Sequence, residues 1–299
     1  MAARSERIHL EASWDLEKPS PTEARSERSS RRRLPLQLIV GGVLVGLVCL
    51  AALLAQILAP HDPAALSPDA LLQPPSALHP FGTDALGRDL FSRVLFGARL
   101  ALRLSLLSVA ISAIPGTLLG MVAGFYRGLF DQVVSRLMDA WLALPGLLLA
   151  LLVIARTGPS LDGAILALGI AGIPSFYRLM RGSTISLSQL PFIEASRALG
   201  AGGAVLILRH IFPNLLSSLI VLVSLRLGTF LLAGGSLSFI GLGAQPPMPE
   251  WGALLAEGRD YIDMAWWMFT FPLLAITTTV LGLNLLGDGL RDLIAQPGR

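Results

Sequence analysis

The chemistry open to this chain is bounded by a short supply of reactive side chains. Lys18 is its only lysine, and no glycine-rich loop precedes it. A phosphate-binding P-loop needs a lysine after its glycines to hold the terminal phosphates, so an ordinary one cannot be built here. The four histidines, His9, His61, His79 and His210, are dispersed along the sequence and none belongs to an HExxH pair, which argues against a membrane metalloprotease. Cys49 is the single cysteine, so neither a disulfide framework nor a cysteine metal cluster is possible. Serine is plentiful, yet no Ser, His and Asp set converges on one membrane face. The expectation is a chain with no catalytic residues and no metal site.

The most informative polar segment is LPFIEASRALGAGGAVLILRHIFPN, residues 190–214, which lies between long hydrophobic stretches. Pro191 suits a first helical turn, Glu194 favours the positive helix end, and Gly200 supplies a stop. Phe192, Ala195 and Leu199 fall on one face at spacings of three and four, with Glu194 and Arg197 on another. An apolar face on a short helix at the membrane surface fits either docking into a partner's groove or lying in the lipid interface.

The elements that position this island are membrane spans. The 299 residues are 53% hydrophobic and 14% charged, with a mean hydropathy of +0.66, whereas a soluble protein carries nearly twice the charge. The net charge of +3 reflects arginines at membrane flanks, not a nucleic-acid surface. Residues 1–33 carry eight Lys or Arg against six Asp or Glu and read as a disordered cytoplasmic tail. Arg31, Arg32 and Arg33 resemble a twin-arginine export signal, but the apolar run that follows, about 34–59, is long enough to remain as an anchor.

Residues 60–96 form a Pro-rich extracytoplasmic loop, and further spans are expected at about 98–125, 138–155, 161–177, 213–240 and 265–287. Gly116, Gly120 and Gly124 place a flat stripe on the second span where another helix can approach closely. Arg178, Arg181, Arg197 and Arg209 make the island cytoplasmic by the positive-inside rule. The expected architecture is therefore an all-α polytopic membrane protein with about six transmembrane helices and both termini cytoplasmic. Its core domain spans 97–290, with a cytoplasmic loop at 181–212 and a C-terminal segment at 291–299. A transmembrane barrel would need repeated alternating strands, which are lacking.

Intramembrane charge is sparse. Arg226 lies 13 residues past Pro213, roughly 20 Å along a helix rising 1.5 Å per residue. A charge at that depth faces a bundle interior, an aqueous path or a partner subunit, or snorkels along its helix. Arg226, and less strongly Asn284 and the Thr277–Thr279 run, are the candidate path-lining residues. Trp251, Trp266 and Trp267 read as interface anchors, and Gly82 and Gly87 with Asp84, Arg88, Asp89 and Arg93 as a compact external turn.

Four stretches carry a family resemblance. Glu194, Ala195, Ser196, Gly200 and Pro213 match the EAA loop of ABC-importer permeases. HPFGTDALGRDLFSRVLFGAR (79–99), LSFIGLGAQPPMPEWGALL (237–255) and NLLGDGLRDLI (284–294) stand in the order found in its DppC/OppC branch. Together they cover about residues 35–296 and exclude the tail. The resemblance implies a type I ABC-importer permease fold in a bacterial inner membrane. It implies a heterodimer with a homologous DppB/OppB-like subunit, two cytoplasmic ATPases that bind ATP and Mg, and an extracytoplasmic binding protein. This chain would bind no cofactor itself. Phe192, Glu194, Ala195, Ser196, Arg197, Ala198, Leu199 and Gly200 would form the coupling helix that meets an ATPase. The implied cargo is a di- or oligopeptide, with nickel chelates, glutathione or glycosides in the same branch.

The chain departs from the family at Ala233–Gly234–Gly235, where relatives carry an acidic residue, at Arg226, and in lacking a tryptophan before the EAA loop. Loss of acid with gain of base along one helix points to an altered substrate. The competing reading, a self-contained channel or secondary transporter, expects inverted repeats and buried titratable relays, and neither is visible.

Overall fold

A computed structural model describes residues 36–295; the expected N-terminal tail at 1–33 lies outside them. Among the described residues there is no β-sheet. The helices are α1 (Leu36–Leu58), α2 (Leu90–Tyr126), α3 (Gly128–Ala143), α4 (Gly146–Thr157), α5 (Leu161–Leu187), α6 (Pro191–Ala198), α7 (Gly203–Phe239, with a π-helical stretch at Leu206–Ile211), α8 (Trp251–Gly258) and α9 (Trp267–Ala295). Five of them, α1, α2, α5, α7 and α9, are long and apolar enough to cross a membrane.

Several boundaries differ from the sequence expectation: the span expected at 161–177 continues as α5 to Leu187 and the one expected at 213–240 begins as α7 at Gly203, so the cytoplasmic loop expected at 181–212 shortens at both ends. The span expected at 138–155 is instead α3 and α4, bent by 92° at the break around Leu144–Pro145. A proline there cannot continue the preceding helix, and the residue before it takes an extended backbone. Counted as one, the pair makes a sixth span. The extracytoplasmic loop is also shorter than expected, because Asp89 caps α2 by accepting from the Ser92 N–H at 2.9 Å, so the helix begins at Leu90.

The scaffold is centred on α2 against α5, where the glycine stripe performs as its spacing predicts. A Cβ at Gly116 would lie 2.6 Å from Phe176 Cβ, one at Gly120 2.6 Å from the Tyr177 carbonyl oxygen, and one at Gly124 2.7 Å from that of Arg181. Without side chains at these three positions the helix backbones touch, and the contact is dispersion, since lipid offers no hydrophobic drive between helices. Ser112 adds a polar bond at the same seam, its hydroxyl donating to the Gly169 carbonyl at 2.7 Å.

A buried polar layer closes the end of the bundle that carries the 60–96 loop. Gly87 turns with φ +74°, and any Cβ there would meet the Ser67 carbonyl at 1.9 Å, so only glycine fits. Arg93 is fully buried in α2 and donates to Glu257 at 3.1 Å, while Arg88 joins Asp84 at 2.6 Å and Glu257 at 2.8 Å. This is an internal clasp between the loop, α2 and α8. Trp251 and Trp267 belong to the same layer and correct the sequence reading. Both are buried, Trp251 donating to the Val94 carbonyl at 2.9 Å and Trp267 to that of Thr83 at 3.0 Å. Only Trp266 keeps the exposure of an interface anchor.

Glu250 caps α8, its carboxylate accepting from the Ala253 N–H at 3.1 Å, and is 2% exposed. Burial pushes its carboxyl above the ordinary range, against hydrogen bonds from Ser238 and the Gly252 and Ala253 amides. The folded protein therefore retains a proton that the unfolded chain has already lost, and stability falls as pH rises from the unfolded-state pKa towards the raised folded one. Glu250→Gln keeps the cap acceptor and removes the charge. Its melting temperature in detergent is expected to exceed that of the unmodified protein by a margin that widens as pH is raised from 4 to 8. A margin independent of pH would contradict this reading of Glu250.

Candidate functional site

The island folds as its residues dictate. Pro191 opens α6, Glu194 sits in its first turn and Arg197 in its last. The end is a reversal at Gly200, φ +89°, with the Leu199 N–H donating to the Ala195 carbonyl at 3.0 Å and the Ala201 N–H to that of Ser196 at 3.1 Å. Ser196 donates its hydroxyl back to the Phe192 carbonyl at 2.8 Å and so presents little polarity outward.

The outer face of α6 is apolar and uncovered. Leu199 is 90% exposed and Phe192 44%, and Glu194, Ala195 and Ala198 are exposed beside them. The inner face rests on one side chain that the sequence reading missed. Ile193 is fully buried with Met121 of α2, Met180 of α5 and Leu206, Ile207, Ile211 and Leu215 of α7. The available signal was its position off the Phe192–Ala195–Leu199 face. Arg197 adds a second tie, its guanidinium 5.5 Å from the centre of the Phe125 ring at the end of α2. Any push on α6 therefore reaches three spans through one packed cluster.

Beside this foot, α3 is fastened to α5. Arg181 makes two hydrogen bonds to the Asp131 carboxylate, one of them 2.7 Å from Nη2 to Oδ2, and Tyr177 shares a bond of 2.8 Å with Ser135. The arrangement is a bidentate fork, which fixes orientation as well as distance.

Arg226 lies half-buried on α7 and donates to the Ser175 hydroxyl at 2.7 Å. It borders an open cleft of about 620 Å³ that also includes Arg178, Gly182, Ser183 and Ser186. The geometry offers an arginine and several hydroxyls to a polar or anionic group. Asn284 is not brought there. It is exposed on α9, its amide oxygen 3.0 Å from where a Cβ on Gly228 would sit. Thr278 and Thr279 bond back to carbonyls of their own helix, at 2.7 Å to Leu274 and 2.6 Å to Ala275. At Gly234 a Cβ would lie 2.4 Å from Leu104 Cδ2, while at Gly235 the nearest atom would be Ile276 Cδ1 at 3.6 Å, so packing alone does not account for the absent acid at residues 233–235.

Comparison with known proteins agrees with this architecture. Residues 116–297 match the model of the binding-protein-dependent transport system inner membrane component family. The chain is 45% identical over 255 residues to the glutathione transport system permease protein GsiD of Pectobacterium atrosepticum, covering 85% of each. It is 44% identical over 254 residues to the dipeptide transport system permease protein DppC of Alkalihalophilus pseudofirmus, covering 85% of this chain and 84% of that one. An inward-facing structure of the MetNI methionine ABC transporter matches 70% of this chain and 98% of its own with a TM-score of 0.56 at 20% identity, a likeness of fold. The helical scaffold, the family match and the close relatives agree: this chain belongs to the family of inner membrane components of binding-protein-dependent transport systems.

Proposed function

We propose that the chain is one of two transmembrane subunits of an ATP-driven importer of di- or oligopeptides, glutathione included among the possible cargoes. In this role α6 is the part that a separate ATPase grips. The observation that carries this reading is the pairing of faces on α6: an uncovered apolar surface at Phe192, Ala195 and Leu199, and a buried Ile193 seated among three spans. A helix lying passively in lipid has no need of such an anchor. A helix that transmits force needs both faces.

Two ATPase subunits, a homologous permease subunit and an extracytoplasmic binding protein complete the assembly in this reading. ATP and Mg bind to the ATPases, in keeping with a chain whose only lysine is Lys18. The arginines that crowd α6 and its flanks support a cytoplasmic α6, and in this reading both termini share that side. The substrate class is supported by the relatives' names; Arg226, which departs from the family pattern, adds a guanidinium that would meet a carboxylate of the cargo.

Two outcomes test the proposal. Ala195→Glu puts a charge on the exposed face of α6 without touching Ile193. In the reconstituted complex, nucleotide-driven peptide uptake should fall to background while the purified permease keeps its melting temperature. Undiminished uptake would remove α6 from the coupling role. Arg226→Leu should raise the KM for peptide by about tenfold, as expected for losing a charged hydrogen bond, and Arg226→Lys should recover part of it. An unchanged KM and substrate range would leave Arg226 as a structural partner of Ser175.

A further inference from the structure

The sequence scatters its histidines, but the fold gathers two of them beside an aspartate at the entrance to α2. His61 follows α1 by a few residues, His79 ends the loop's proline-rich stretch, and Asp89 caps α2. The two imidazole rings lie 4.8 Å apart between centres. Nδ1 of His79 is 2.9 Å from Asp89 Oδ1, and Nδ1 of His61 is 3.8 Å from the same oxygen. One donor atom from each residue can be chosen so that all three lie within 4.8 Å of one another.

We propose that His61, His79 and Asp89 form a binding site for a first-row divalent cation such as zinc, whose role is to staple the loop to the start of α2. The donor set, two imidazoles and a carboxylate, is one that zinc takes up with a solvent molecule in the fourth position.

Three observations support the site. His61 Nδ1 is buried and has no hydrogen-bond partner, although it points at Asp89; a buried polar nitrogen left unpaired is costly unless something binds it. Asp89 is held for the task from behind, its other oxygen accepting from the Ser92 amide at 2.9 Å and the Ser92 hydroxyl at 2.7 Å. Such outer partners orient a ligating carboxylate. The burial is graded as a metal site with one open position requires: Asp89 and His79 are buried, while the His61 side chain is 34% exposed. The cation would replace the His79–Asp89 hydrogen bond and displace its proton. It would join the end of α1, the loop and α2 at one point, next to the arginine clasp formed by Arg88 and Arg93.

The test uses the full-length, tag-free permease in detergent, stripped with chelator and titrated with zinc alone at neutral pH. Calorimetry should show one zinc per chain, and the melting temperature should rise by several degrees on saturation. Asp89→Asn keeps the cap, since asparagine serves well at that position, yet removes the ligand charge, and His61→Ala alters a partly exposed side chain that makes no ring hydrogen bond. Each should weaken binding by at least tenfold, the range known for losses around metal ligands, and His61→Ala should do so with the metal-free melting temperature nearly unchanged. A His9→Ala, His210→Ala double variant should bind as the unmodified chain does. Absence of saturable zinc binding by the unmodified chain, or retention of its full affinity by either Asp89→Asn or His61→Ala, overturns the assignment.

Discussion

The contact between α2 and α5 is the constraint from which the rest of the molecule follows. Three glycines spaced by four let two backbones meet where side chains would hold them apart. In lipid this closeness is itself the stabilising interaction, because dispersion between helices has no hydrophobic competitor to assist it. Once α2 and α5 are locked, the ends of both helices are fixed on each side of the membrane. At one end Met121 and Met180 become adjacent and make the socket for Ile193. At the other, the start of α2 brings Asp89, Arg88 and Arg93 under the loop and α8.

These two ends are built differently, and the difference suits a gate. The loop end is dense with buried polar bonds: Arg93 to Glu257, Trp251 to Val94 and Trp267 to Thr83. Such directional bonds in a buried layer resist distortion. The contact of α6 itself is an apolar socket around Ile193, while the directional bonds nearby, Arg181 to Asp131 and Tyr177 to Ser135, join α3 to α5 and leave α6 free of them. In the proposed role, force applied at α6 would pass into α2, α5 and α7 while the opposite end held its shape. The cleft at Arg226 lies between α7 and α5, two of the spans so moved.

Much of this was legible from residue spacing, because the signals were local. Long apolar runs announced the spans, the Gly116–Gly120–Gly124 stripe announced a close helix partner, and Pro191, Glu194 and Gly200 announced α6. What the sequence concealed was tertiary. The turn at Leu144–Pro145 sits inside an apolar run that hydropathy reads as one span. Trp251 and Trp267 look like interface residues until their indole N–H groups are seen to meet buried carbonyls. Ile193 differs from its apolar neighbours only in the direction it points. His61 and His79 stand 18 positions apart in sequence, and only the folded loop places them on one aspartate.

The central claim is that the outer face of α6 is a contact surface for a separate ATPase. Because Cys49 is the only cysteine, a Cys49→Ser background carrying Leu199→Cys gives a single reporter on the most exposed side chain of that face. Labelling with a membrane-impermeant maleimide should proceed in inside-out vesicles of the permease alone and be blocked once the ATPase subunits are bound. Equal labelling with and without them, or labelling only from the opposite side of the membrane, would contradict the account.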